Sequence, residues 1–376
     1  MNWRQLSNIR TARLAIWALF AAALAATLSA GLWPLHAPMN DVTWVPGENA
    51  ISLGEHGIAL GTSRFDIAAR KPDSCAVELW VQPAEIWTTG TIVSFYDDQT
   101  GRQFRVAQDF ADLVLVLATG KHSESGEKRE LRIEQVFRRP QFFLSIASDG
   151  QNTSIYLDGR QVLRSSHFKL SGKDLSGRVI LGNSALRDRS WSGKVKGLAI
   201  YGSDLNAEQA LRHYREWTQS GLTVPSASER MLAQYLFREG SGSLIHSAVG
   251  AAVDLYVPER FTVVDQLHFE SPISEAQTDG NYRDNAILNI VGFVPLGFAA
   301  ALFLALIWKI KRVVIAATLI GTSTSLAIEY FQAYLPTRYS GMTDLVTNTI
   351  GCWIGAVLYC TIAGFLARKL ARKPAE

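Results

Sequence analysis

Three cysteines in 376 residues exclude a disulfide-built fold. Cys75 stands alone in the polar part of the chain, and Cys352 and Cys360 fall in its last apolar run. Zinc-type spacing is missing as well. His36, His56, His122, His167, His213, His246 and His268 are scattered outside the apolar runs and pair with no cysteine cluster. No serine or cysteine is placed with a histidine as an activated nucleophile requires. Excess charge is also lacking. A formal net charge of +3, with no basic stripe interleaved with aromatics, excludes nucleic acid as a partner.

Apolar residues are abundant, at 48% of the chain, and unevenly placed. Residues 14–33 run about 20 positions without a charge, the length that crosses about 30 Å of hydrocarbon. This stretch reads as a retained membrane anchor. The alternative is a signal peptide cleaved after Leu28-Ser29-Ala30. Three further spans are predicted at 286–308, 313–334 and 345–366. Arg4, Arg10 and Arg13 precede the first span. Lys309, Lys311 and Arg312 fill the loop between the second and third, and Arg368, Lys369, Arg372 and Lys373 follow the fourth. Four crossings put all three basic clusters on one side, so both termini are predicted cytoplasmic and residues 34–285 outside.

Between the first two spans the pattern changes to short strands separated by turns. Residues 75–83, 91–97, 113–119, 142–148, 153–162 and 177–183 alternate apolar and polar positions and favour β-branched and aromatic side chains. Asp158-Gly159 is a hairpin turn signal. Regular short strands predict a two-sheet β-sandwich. A helix is predicted at 204–217, with Asn206 as cap and Glu208 in its first turn.

This region resembles the laminin-G-like, concanavalin-type jelly roll. The likeness rests on Val77-Glu78-Leu79-Trp80-Val81, Ile155-Tyr156-Leu157-Asp158-Gly159, residues 193–201 and Asp204-Leu205-Asn206-Ala207-Glu208. It covers roughly 50–220. Residues 232–242 look like the strand that usually opens such a module, so a rearranged strand order is expected, with 230–257 completing the sandwich. The alternative is a stem leading to the membrane. Glucanases of related fold resemble E-x-D-x-x-E on one strand, and no such run is present. Glu78 is the single carboxylate on its strand and reads as a solvent-face residue. Asp97 and Asp98 offer oxygens to calcium, but no partner is visible and a solvated turn is the plainer reading. Trp87 and Trp191 offer faces to sugar rings, though core packing is the plainer reading for both. No cofactor is expected, and a binding module without catalysis is.

The spans themselves carry polar residues. Gly321, Ser325, Glu329 and Gln332 recur at helical spacing, as do Asp344, Asn348, Gly351 and Gly355. Asn289 lies near the outer end of the second span, with Gly292, Pro295 and Gly297 following. Arg338 lies in the outer loop between the third and fourth. Gly351 and Gly355 form G-x-x-x-G, which lets helices approach closely. By the predicted topology Asn289, Glu329, Gln332, Arg338, Asp344 and Asn348 converge near the outer surface. A buried ionisable residue in a span is costly and marks a functional candidate. Expected partners of Glu329 are Arg338, folding back, or the amides of Asn289 and Asn348. The bland reading is polar glue between helices.

N-x-x-G-F-x-P-L-G at 289–297, S-x-x-I-E-Y-x-Q at 325–332, L-P-T-R at 335–338 and T-D-L-x-x-N-T-x-G at 343–351 together resemble the VanZ-like membrane family over 285–366. The resemblance implies work at a bacterial cell envelope and a link to glycopeptide resistance. It also implies importance for Glu329, Gln332, Arg338, Asp344 and Asn348.

The expected organisation is a cytoplasmic N-terminus at 1–13, an anchor or signal peptide at 14–33 and an outside sandwich at 34–270. A linker at 271–285, a three-helix membrane unit at 286–366 and a basic tail at 367–376 follow. The favoured function is a multi-pass protein of the bacterial cytoplasmic membrane whose sandwich binds an envelope glycan, polysaccharide or surface partner. Its membrane unit would sense a lipid-linked ligand. The alternatives are a membrane enzyme using Glu329, Asp344 and Arg338 on a lipid-linked or antibiotic headgroup, or a small transporter or flippase.

Overall fold

The computed structural model describes residues 3–65, 73–120, 128–185, 190–220, 229–249, 253–265, 268–278 and 281–371. Arg372 and Lys373 of the basic tail, and His122, lie outside the described residues. The chain forms two compact units, Pro38–Asp265 and Met1–Ala37 with Gln266–Glu376.

The first unit is an antiparallel sandwich. Its strands are Val42–Trp44 (β1), Ile51–Leu53 (β2), Ala59–Gly61 (β3), Cys75–Pro83 (β4), Thr89–Asp97 (β5), Arg102–Asp109 (β6), Asp112–Ala118 (β7) and Lys128–Ile133 (β8). There follow Phe142–Ser148 (β9), Thr153–Leu157 (β10), Arg160–Ser165 (β11), Arg178–Leu181 (β12), Gly193–Tyr201 (β13), Met231–Tyr235 (β14), Leu244–Ile245 (β15) and Leu255–Tyr256 (β16). One sheet runs β1-β2-β13-β4-β9-β10-β11, with β14 sharing an edge of β13. The other runs β15-β16-β3-β12-β5-β6-β7-β8. Segment 231–256 therefore adds strands to both sheets and is part of the sandwich rather than a stem. Between the sheets, Val77, Leu79 and Val81 of β4 meet Phe95, Phe104, Leu115, Ile155 and Trp191 in one apolar core. The alternation of β4 turns these residues inward and Ala76, Glu78 and Trp80 to the opposite face.

The Asp158-Gly159 turn joins β10 to β11 with φ of 52° and 75°. Two successive left-handed residues are what a two-residue type I′ hairpin requires. Ala207–Ser220 (α1 of the sandwich, here αA) lies against this turn, because a Cβ on Gly159 would stand 2.8 Å from the Leu211 backbone. The helix begins with a reciprocal cap. The Gln209 N–H donates to Asn206 Oδ1 at 2.9 Å, and the Asn206 N–H donates to Gln209 Oε1 at 2.8 Å.

The second unit is helical: Trp3–Leu32 (αB), Pro272–Thr278 (αC), Tyr282–Leu304 (αD), Ile310–Gln332 (αE) and Met342–Ala371 (αF). Among the described residues, four helices are long and apolar enough to cross a membrane, and the protein is a multi-pass membrane protein. Leu288, Ile315 and Phe365 turn about two-thirds of their surface outward, as a lipid-facing shell does. Inside, Ala300, Ala301, Leu304, Val313, Ala317 and Ala356 form one cluster. Phe293, Leu296, Ile328 and Cys352 form another. Phe20 of αB stacks on Phe303 of αD at 5.0 Å between centroids.

Small residues set the helix spacing. A Cβ on Gly351 would lie 2.1 Å from the Ile290 carbonyl oxygen, and one on Gly355 would lie 2.1 Å from that of Val294. Gly297 meets the Cys352 carbonyl equally closely. αD and αF therefore touch backbone to backbone, an approach any side chain would block. Gly292 and Pro295 do not share this role. Both are exposed, and a Cβ on Gly292 would meet nothing within 4 Å. The segment 271–285, expected as a linker, contains αC and the first turn of αD. Ser271 followed by Pro272 is the start signal that marks αC in the sequence.

Candidate functional site

αE and αF run antiparallel, and one hydrogen bond fixes their register. Asn348 Nδ2 donates to Ser325 Oγ at 3.0 Å. One helical turn further along each helix, Glu329 and Asp344 stand at the same level. Asp344 Oδ1 accepts from Asn289 Nδ2 of αD at 2.6 Å. Glu329 Oε2 accepts from the Gly341 N–H at 2.8 Å. Gln332 Nε2 donates to the Gly31 carbonyl of αB at 2.7 Å. All four long helices therefore contribute to one polar layer.

The expected partners of Glu329 are corrected by this geometry. Asn289 is bonded to Asp344, and Asn348 to Ser325. Arg338 forms no ion pair with Glu329, whose carboxylate is met instead by a backbone N–H. The loop 335–341 decides this. It folds Gly341 over the carboxylate, while the Arg338 N–H closes a turn onto the Leu335 carbonyl at 3.0 Å.

The layer holds polar atoms whose bonding is incomplete. Gln332 Oε1, Asn348 Oδ1, Thr337 Oγ1 and Arg338 Nε are buried without a hydrogen-bond partner. A buried unpaired polar atom costs about 1–3 kcal/mol, so four within seventeen residues of chain are hard to explain by stability alone. Glu329, Gln332 and Asn348 are each less than 5% exposed.

No sequence signal places αC and the strand-like stretch before it in this layer, yet both belong to it. The Glu270 N–H donates to the Ser340 carbonyl at 2.9 Å, and the Met342 N–H to the Glu270 carbonyl at 2.9 Å. Glu275 Oε1 accepts from the Thr343 N–H at the start of αF. Burial pushes the Glu275 carboxyl above its ordinary value against the Thr343 hydrogen bonds, and Asp344 and Glu270 push the same way. Acids thus gather at the N-terminus of αF, where the helix dipole favours them.

A second polar cluster lies in the sandwich. Glu78 is fully buried, not solvent-facing. It accepts from Tyr201 Oη at 2.6 Å and Ser145 Oγ at 3.0 Å, and His213 Nδ1 stands 3.1 Å from both of its oxygens. His213 Nε2 lies 3.4 Å from Glu229 Oε2, and Arg212 also pairs with Glu229. Burial alone would depress the His213 pKa, but the Glu78 hydrogen bond and the charges of Glu78 and Glu229 outweigh it and raise the value. The cluster is sealed beneath αA. It clamps the helix to β4, β9 and β13.

Of the two tryptophans, Trp191 is in the core and Trp87 is not, being 72% exposed. Arg64 pairs with both Asp97 and Asp98, and Thr100 Oγ1 and the Gln99 N–H close the turn on Asp97.

Residues 234–364 match the VanZ/LLP1 family model, and residues 55–210 match that of the concanavalin A-like lectin/glucanase superfamily. The chain fuses a concanavalin-like sandwich to a VanZ-like membrane unit. Every member of the polar layer except Gly31 lies within the residues matched to VanZ/LLP1. That match begins inside the sandwich, at β14. Solved structures similar to this chain include the receptor binding domain of botulinum neurotoxin D, at 12% identity and a TM-score of 0.35, covering 49% of this chain and 48% of that one. The binding domain of botulinum neurotoxin DC in complex with SialylT has 12% identity and a TM-score of 0.37, covering 52% and 49%. The chain thus spans about half the length of the solved structures it matches. A comparison with the curated proteins finds no match.

Proposed function

We propose that the protein is a non-enzymatic receptor of the bacterial cytoplasmic membrane, whose outer sandwich holds an envelope glycan and whose VanZ-like unit binds a lipid-linked or antibiotic headgroup. Both termini are cytoplasmic in this reading, αB is a retained anchor, and residues 34–285 face outward. The observation that carries it is Glu329, a carboxylate 1% exposed on a span-capable helix and met by a backbone N–H rather than a cation. A carboxylate so placed is costly to keep, which favours a binding role over helix glue. The oxygens of Gln332 and Asn348 support a ligand that donates hydrogen bonds, such as a hydroxyl- or amine-bearing headgroup. Protection against a glycopeptide is the phenotype this reading joins to the VanZ resemblance.

The test is complementation of a deletion strain with wild type, Glu329→Gln, Arg338→Gln and Asp344→Asn, each checked for membrane abundance. Survival is scored under envelope stress, including a lipoglycopeptide. Variants that accumulate normally but fail to complement support a working site. Full complementation by all three removes the reading.

A further inference from the structure

Two loops meet at one end of the sandwich. The β4–β5 loop carries Ile86 and Trp87, and the tight β6–β7 turn carries Phe110. Ile86, Trp87 and Phe110 leave 36%, 72% and 52% of their surface in water. Connecting loops are normally the mobile part of a sandwich, but these are pinned. Gln108, itself 1% exposed, donates its Nε2 to the carbonyls of Glu85 at 2.8 Å, Phe110 at 2.9 Å and Ile86 at 3.4 Å. Its Oε1 accepts the indole N–H of the core residue Trp191 at 2.7 Å. The Phe110 N–H donates to the Thr88 carbonyl at 2.9 Å.

Phe110 adopts φ of 52°, a left-handed conformation that is strained for a residue with a Cβ. A buried amide with every atom satisfied, joined to a strained backbone, thus holds three apolar faces in water. Stability gains nothing from that exposure, and strain of this kind points to binding.

The partner is narrowed by position, size and charge. Tyr96 stands seven residues along β5 from Thr89, about 23 Å at 3.3 Å per residue. Its hydroxyl bonds Asp265, where the chain leaves the sandwich. Tyr96 also clusters with Phe261, whose N–H donates to the carbonyl of Pro38, where the chain enters. Both ends of the sandwich unit, at Pro38 and Asp265, therefore lie at the end of β5 opposite the tip and leave the tip uncovered by either chain end. Three side chains offer a few hundred Å² at most, short of the roughly 800 Å² per side of a stable protein interface but ample for one or two sugar rings. The Arg132 guanidinium on this rim is engaged by Asp109 at 2.7 Å, Asp112 at 3.1 Å and Glu130 at 3.3 Å. It is not free to draw in an anionic polymer.

We propose that Ile86, Trp87 and Phe110 form a stacking platform for the pyranose rings of a neutral envelope polysaccharide, whose C–H faces pack on the negative faces of the two aromatic rings. The platform rests on the reading of the sandwich as a glycan-binding module and adds where and how it binds.

The experiment uses the full chain in detergent, co-sedimented with insoluble neutral β-glucan, chitin and isolated cell-wall peptidoglycan, with protein-free phospholipid vesicles alongside. Wild type, Trp87→Ala, Trp87→Phe and Phe110→Gly are compared, the last because glycine tolerates the left-handed backbone. The expected result is binding by wild type, a loss of at least tenfold in Trp87→Ala and Phe110→Gly at unchanged melting temperature, and recovery in Trp87→Phe. Equal binding by all four proteins overturns the platform and leaves the sandwich as a glycan binder through another surface. No binding of wild type to any of the three polysaccharides overturns both. Trp87-dependent sedimentation with vesicles assigns the tip to membrane and also overturns the proposal.

Discussion

Glu78→Gln tests whether the sealed cluster holds αA to the sheet. The substitution keeps the shape of the side chain and removes its charge. In the wild type, Glu78 receives Tyr201, Ser145 and His213 at 2.6, 3.0 and 3.1 Å, with no water-exposed surface on Glu78 or His213. Breaking one side of a buried ion pair costs about 3–5 kcal/mol, because the remaining charge stays buried and less compensated. For a unit the size of Pro38–Asp265, each kcal/mol moves the melting temperature by about 2–4 °C, so a fall of about 6–20 °C is expected. The assay is thermal unfolding of the full chain in detergent, followed by near-ultraviolet circular dichroism, which reports buried aromatics such as Trp191 and Trp217. The cluster also predicts a pH dependence. The folded pKa of His213 is raised above the ordinary histidine value of about 6.5, so its stabilisation is complete below that value. It is lost as pH rises through the higher folded value. The melting temperature of wild type minus that of His213→Gln should therefore shrink as pH rises above about 6.5. A Glu78→Gln shift under about 3 °C, or a difference that does not move between pH 6 and 9, refutes the reasoning.

Gly355→Leu should block the approach of αF to the Val294 carbonyl and sharply reduce the yield of monodisperse protein, whereas Gly292→Leu, at an open outward position, should leave it near wild type; size-exclusion chromatography after detergent extraction distinguishes them. Asn206→Ala removes one half of the reciprocal cap and should cost about 1 kcal/mol, read as a melting shift of about 2–4 °C. Gly159→Val should be worse than the cap variant. It strains a residue at φ of 75° and also drives a side chain into αA at Leu211, so lower thermal stability than Asn206→Ala is the expected outcome.

What the sequence determined by itself was the local grammar. Uncharged runs of about 20 residues can satisfy their backbone in lipid only as helices, so the four apolar helices were legible without a structure. Period-two alternation and the Asp158-Gly159 pair likewise specified strands and a hairpin, since both signals act over neighbouring residues. The helical spacing of Ser325, Glu329 and Gln332, and of Asp344 and Asn348, placed each set on one face. Which atoms then meet was decided by the tertiary fold. The loop 335–341 gives Glu329 a backbone N–H and withholds Arg338, and αC brings Glu275 to a helix start more than sixty residues away in sequence. Glu78 is the sharpest case. Its alternation with Val77 and Leu79 correctly turns it away from the inter-sheet core, and a strand pattern alone reads that second face as solvent. The face is instead roofed by αA, which packs Ala210 and Trp217 on it and lowers His213 onto the carboxylate. Alternation states which residues share a side of a sheet, and only the packing of a distant helix determines whether that side meets water.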